Sequence, residues 1–87
     1  MRKTLEDILK IEKNNWSKKT YNEILTMETP FSYESNAGNI SYEVKVLKLE
    51  QEEKYIRLAI EINDDGISSL FPVSGTMFFY ADGRVDY

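Results

Sequence analysis

The sequence predicts an α+β domain: two short N-terminal helices packed on one face of a four- to five-stranded antiparallel meander sheet. Three observations predict it. Apolar residues recur at helical spacing before residue 28, whereas after residue 40 they alternate with polar ones. Between these regions Thr29-Pro30 interrupts any helix, because the residue before proline resists the α region. Near the end Asp82-Gly83 is a strong hairpin signal. With 87 residues the chain has room for one domain, residues 1–87, with 1–29 helical and 31–87 forming the sheet.

In the helical part, Thr4 followed by Glu6-Asp7 has the form of an N-cap with acids in the first turn. Leu5, Ile8, Leu9 and Trp16 share one stripe, with Ile11 near its edge. Asn14-Asn15 weakens the helix, and Ser17 is placed to cap a second segment holding Tyr21, Ile24 and Leu25. Two helices, over residues 4–14 and 18–27, are therefore expected. Trp16 and Tyr21 read as core residues.

The sheet begins with a short strand, Phe31 to Ser35, followed by a turn at Asn36-Ala37-Gly38-Asn39. The longest regular stretch is a hairpin, Ile40–Glu50 and Tyr55–Ile62, joined by the polar turn 51–54. In its second strand Ile56, Leu58, Ile60 and Ile62 fall on one face. In its first strand Tyr42, Val44 and Val46 share a face while Leu47 and Leu49 take the other. A β-bulge at Val46–Leu47 would return both leucines to the core side and set Val44 against Ile60 and Tyr42 against Ile62. The alternative is a sheet covered on both faces near its middle. Asn63-Asp64-Asp65-Gly66 reads as a turn, and residues 67–75, with Phe71, as a loop crossing the sheet edge. The last hairpin joins Thr76–Ala81 to Arg84–Tyr87. A two-residue loop there pairs Tyr80 with Val85 and leaves Met77 and Phe79 on the other side, with Phe79 the aromatic least explained by a one-sided core.

Composition excludes much chemistry. The chain has neither cysteine nor histidine, which removes thiolate nucleophiles, imidazole bases and the usual zinc ligand sets. No G-x-S-x-G elbow or glycine-rich phosphate loop occurs. Asn63–Gly66 lacks the spaced donors of a calcium loop. Glu43 and Glu61 could form a carboxylate pair of the glycosidase kind, but a sheet this small rarely encloses the pocket such work needs. The expectation is a non-enzyme without cofactor or metal.

Charge is uneven. Residues 1–30 carry six basic and five acidic side chains, a net of +1, whereas residues 31–87 carry five against ten, a net of −5. An acidic sheet disfavours direct nucleic-acid binding and favours a protein partner with a basic surface. No apolar run approaches the ~20 residues that span a bilayer, and no apolar segment follows Arg2-Lys3 as in a secretory signal, so the expected address is cytoplasmic with no membrane partner.

These readings converge on a small acidic protein-binding module, a stoichiometric inhibitor of one protein partner in the manner of bacterial toxin-immunity or phage counter-defence proteins. Glu43, Glu61, Asp64, Asp65, Phe71 and Phe79 are its candidate contact residues. A second reading is an accessory subunit or homo-oligomer burying Met77 and Phe79. A small-ligand binder or enzyme comes third.

Overall fold

Two helices and five antiparallel strands make up the computed structural model of the chain, which describes residues 4–64 and 73–87. Helix α1 runs Leu5–Trp16 and α2 runs Tyr21–Thr26. Strands β1 (Phe31–Ala37), β2 (Ile40–Gln51), β3 (Tyr55–Asp64), β4 (Val73–Tyr80) and β5 (Val85–Asp86) lie side by side in sequence order. The α+β meander expected from the pattern is the observed one.

Both helices start in capping boxes. The hydroxyls of Thr4 and Thr20 accept from the backbone N–H of Asp7 and Glu23, whose carboxylates accept in return from the cap backbone. The second cap corrects the sequence reading: Ser17 closes α1, its N–H bonding Lys13 O at 2.9 Å, and Thr20 opens α2. Threonine at the later site has a glutamate three residues on, whereas Ser17 has Thr20 there. The hydrogen bond that the Glu23 carboxylate accepts from the Thr20 backbone N–H also holds that carboxyl below its ordinary range.

The core lies between the helices and one face of the sheet, here the inner face. Ile8, Trp16 and Ile24 from the helices meet Tyr42, Val44, Val46, Ile56, Leu58, Ile60, Ile62, Met77 and Phe79 from the strands, all buried. Helix α1 comes close to the sheet at Gly75, where an added Cβ would sit 3.3 Å from Leu9 Cδ2. The register across β2 and β3 places Val44 opposite Ile62 and Val46 opposite Ile60.

The bulge exists but not where the hydrophobic pattern placed it. The register shifts between Lys48 and Glu50, so Val44 does not meet Ile60, and Tyr42 lies opposite Asp64. Leu47 and Leu49 stay on the other face, 38% and 41% exposed. The reason is Lys48. Its stem runs on the inner side and its Nζ donates to Leu25 O at 3.1 Å, a cation on the carbonyl end of α2. The shift then brings Glu50 opposite Arg57 on the outer side, with Nε and Oε1 3.4 Å apart.

The last hairpin is also corrected. Gly83 N–H donates to Tyr80 O at 3.0 Å and Tyr80 N–H to Arg84 O at 2.9 Å, enclosing three loop residues rather than two. Gly83, with φ of +100°, takes the left-handed position of a G1 bulge. Phe79 consequently pairs with Val85, and Phe78 with Asp86. On the other side of β4, Phe79 lies opposite Ile56 and Met77 opposite Leu58, which puts both in the core at 0% exposure.

Candidate functional site

Strand alternation leaves a second, outer face, and both described helices lie on the inner one. The register defines its rows. Glu34 stands directly across from Glu43, which stands across from Asn63. The next row runs Ser32, Lys45, Glu61, Ser74. Leu47, Ala59 and Thr76 follow, then Glu50, Arg57 and Phe78, and finally Tyr55 and Tyr80. One end of the face is acidic and the other aromatic.

Cross-strand neighbours have Cβ atoms roughly 5 Å apart, so Glu34 and Glu43 repel each other at short range. Glu61 is diagonal to Glu43 and directly opposite Lys45, not across from Glu43 as a bulge at Val46–Leu47 would have set it. At the far end the ring centroids of Tyr55 and Phe78 are 5.7 Å apart, those of Phe78 and Tyr80 6.2 Å and stacked. The Tyr55 hydroxyl donates to Glu50 Oε2 at 2.8 Å. That hydrogen bond to a carboxylate, more than burial, pushes the Tyr55 phenol above its ordinary value. The Arg84 guanidinium lies 4.4 Å over the Tyr80 ring. Its backbone N–H bonds Asp82, and this holds the Asp82 carboxyl below its usual range.

The expected contact residues are placed unequally. Glu43 is exposed and Glu61 half-buried on the outer face. Asp64 ends β3 opposite Tyr42. Asp65 and Phe71 lie outside the described residues. Phe79, expected at the surface, is instead fully buried, so it cannot contact a partner while the core stays closed. The exposed-aromatic role on β4 falls to its neighbours Phe78 and Tyr80. Glu34, directly across from Glu43, was missed because a seven-residue strand with two aromatics draws attention to its other face.

A second cluster was missed altogether. Glu12 sits in the middle of the α1 stripe, four residues from both Ile8 and Trp16, and is 5% exposed. Its Oε1 accepts from the Tyr33 hydroxyl at 2.5 Å and its Oε2 from the Tyr42 hydroxyl at 2.8 Å. Trp16 Nε1 donates to the Tyr33 oxygen at 2.8 Å. Burial, then the Glu12 bond, drives the Tyr33 phenol far above its usual value, and Tyr42 shifts the same way. The visible signal was a carboxylate at helical spacing inside an apolar stripe.

This cluster floors an open groove of about 460 Å³ between α1 and β1, lined also by Asn15, Lys19, Phe31 and Ser35. Phe31 is 42% exposed. Lys19 Nζ lies 5.6 Å from the Trp16 ring centroid. Among the described residues no three carboxylates gather into a metal-holding group, and no helix is long and apolar enough to cross a membrane. No protein-family model matches the chain, and neither a curated protein nor a solved structure is significantly similar to it.

Proposed function

We propose that the chain is a non-enzymatic protein-binding module, a stoichiometric inhibitor that occupies a basic surface of one protein partner. The observation that supports this reading best is the acidic end of the outer face. Glu34, Glu43 and Glu61 occupy neighbouring positions there, with Lys45 the lone cation among them. Two glutamates set directly across from one another destabilise the free sheet, by roughly 0.2–1 kcal/mol. That pairing costs the folded sheet stability, whereas a basic partner would relieve it and be steered by it. A rigid sheet also loses little conformational entropy on binding. The composition agrees, since no cysteine or histidine is present for bond-making chemistry. This is the logic of bacterial immunity and phage counter-defence proteins, which act by covering a partner's working surface.

The test is capture of the partner from native-host lysate, followed by titration with the purified pair. Replacing Glu43 and Glu61 by lysine is expected to weaken binding by about tenfold or more and to flatten its salt dependence. Unchanged affinity and salt slope in the double variant would sink the reading, as would turnover by the pure protein.

The accessory or homo-oligomer reading loses its original footing, because Met77 and Phe79 are buried. The Tyr55–Phe78–Tyr80 cluster and exposed Leu47 supply another apolar surface for it. Sedimentation separates the two: a monomer at high concentration removes self-association.

A further inference from the structure

We infer that the groove between α1 and β1 receives an arginine side chain from the basic partner. The inference rests on the reading of the chain as a module for such a partner, and it concerns different residues from the outer acids. At the floor, Glu12 is a buried carboxylate with no ion-pair partner among the described residues. The ion pairs among the described residues are Arg57–Glu50 and Arg84–Asp82, both elsewhere. Each Glu12 oxygen accepts one tyrosine hydroxyl. Two carboxylate oxygens carry more lone pairs than the two hydroxyls use, so acceptor capacity is left over. A buried carboxylate that accepts from two neutral hydroxyls suits a cationic donor as well.

The walls suit the same guest. Trp16, Phe31 and Tyr33 surround the floor, with Trp16–Phe31 and Trp16–Tyr33 centroids 6.3 Å apart and Phe31–Tyr33 5.7 Å. Trp16 already attracts a cation, since Lys19 Nζ lies over its ring. A guanidinium is favoured over an ammonium because it is planar, weakly hydrated, and able to stack on a ring while donating in its own plane. Phe31 remains open to cover its other side. Position argues for a protein as the source. Among the described residues, strand β1 is an edge of the sheet, paired with β2 alone. It presents Phe31, Tyr33 and Ser35 to the groove while Glu34 faces the opposite side. A basic chain lying along this edge meets both.

Trp16 is the only tryptophan in the sequence, so its fluorescence reports on the groove. The full chain would be titrated with acetyl-Gly-Arg-Gly-amide and with the corresponding lysine and citrulline peptides at millimolar concentrations. The arginine peptide is expected to change the emission saturably. Citrulline, the neutral near-isostere, should bind about tenfold more weakly, and lysine should fall between them. Phe31→Ala, on the exposed edge, and Glu12→Gln should each reduce the arginine response several-fold, with circular dichroism checking that both variants fold. If Glu12→Gln unfolds, the citrulline comparison and Phe31→Ala decide. An equal response to citrulline, no saturable response to arginine, or a lysine response as strong as arginine overturns the inference. Glu43→Lys with Glu61→Lys should leave this titration unchanged, so a failure here and a failure of the outer-face reading are told apart.

Discussion

The two faces of the sheet are built from the same strands yet differ in almost every physical respect. On the inner face Ile56, Leu58, Ile60, Ile62, Met77 and Phe79 are fully buried under two helices. One residue along, Tyr55, Arg57, Ala59, Glu61, Phe78 and Tyr80 are half-buried, and their contacts are ring edges, a carboxylate and a guanidinium. The inner face holds the fold. The outer face is left with groups that the fold does not consume, including two glutamates placed against each other. What the difference teaches is that hydrophobicity alone does not separate the two roles. Phe78 and Phe79 are the same residue type in adjacent positions, and the register against β3 sends them to opposite destinations.

The sharpest way to break the comparison is to truncate each phenylalanine in turn. Phe79→Ala should remove about 3–5 kcal/mol of stability through lost burial and a cavity, enough to unfold much of a small domain. Phe78→Ala should remove about 1 kcal/mol, because its ring is only half-buried. Urea midpoints measure both, and similar losses at the two positions would refute the division between faces.

The next effect concerns Glu12, the buried carboxylate of α1. Glu12→Ala leaves the Tyr33 and Tyr42 hydroxyls without their acceptor and should destabilise by about 2–3 kcal/mol. Glu12→Gln keeps one acceptor oxygen and should lose about half as much. If the alanine variant proved as stable as the parent, Glu12 would belong with the solvated residues of the outer face.

A smaller effect comes from the same network at alkaline pH. Tyr33 and Tyr42 have phenol values raised above the ordinary 10.0, mainly by burial and by bonding to Glu12. Their neutral forms are favoured by folding, so this contribution is whole below pH about 10 and is lost as pH climbs beyond it. Urea midpoints compared at pH 9 and 11 should fall more for the parent than for the Tyr33→Phe, Tyr42→Phe pair. An equal fall in both would assign alkaline sensitivity to other groups, with Tyr55 on the outer face next in line.

Much of the inner face was legible because burial writes itself into period. The run Ile56, Leu58, Ile60, Ile62 marks a half-buried strand whatever lies beside it, and Ile8 with Trp16 marks a helix face. The candidate site was less legible. Glu43 and Glu61 were visible as acids on the polar side of strands, but their neighbours Glu34 and Lys45 depend on pairing, which a period-two pattern leaves open by any even shift. Glu12 broke a helical stripe in plain view. Its meaning needed two tyrosines from strands 21 and 30 residues away.

The amino-acid order by itself determined the elements, the cap at Thr4, the absence of thiol and imidazole chemistry, and the acidic bias of the sheet half. All of these are local or additive properties, readable from composition and from neighbours a few residues apart. Tertiary structure decided where the bulge fell, how many residues the last loop holds, which phenylalanine is buried, and what Glu12 bonds. Each of these follows from contacts between distant segments: Lys48 on the end of α2, Gly83 closing a three-residue loop, and β4 taking its register from β3. A strand's own sequence shows that it has two faces. Only the partner it packs against tells which face is inside.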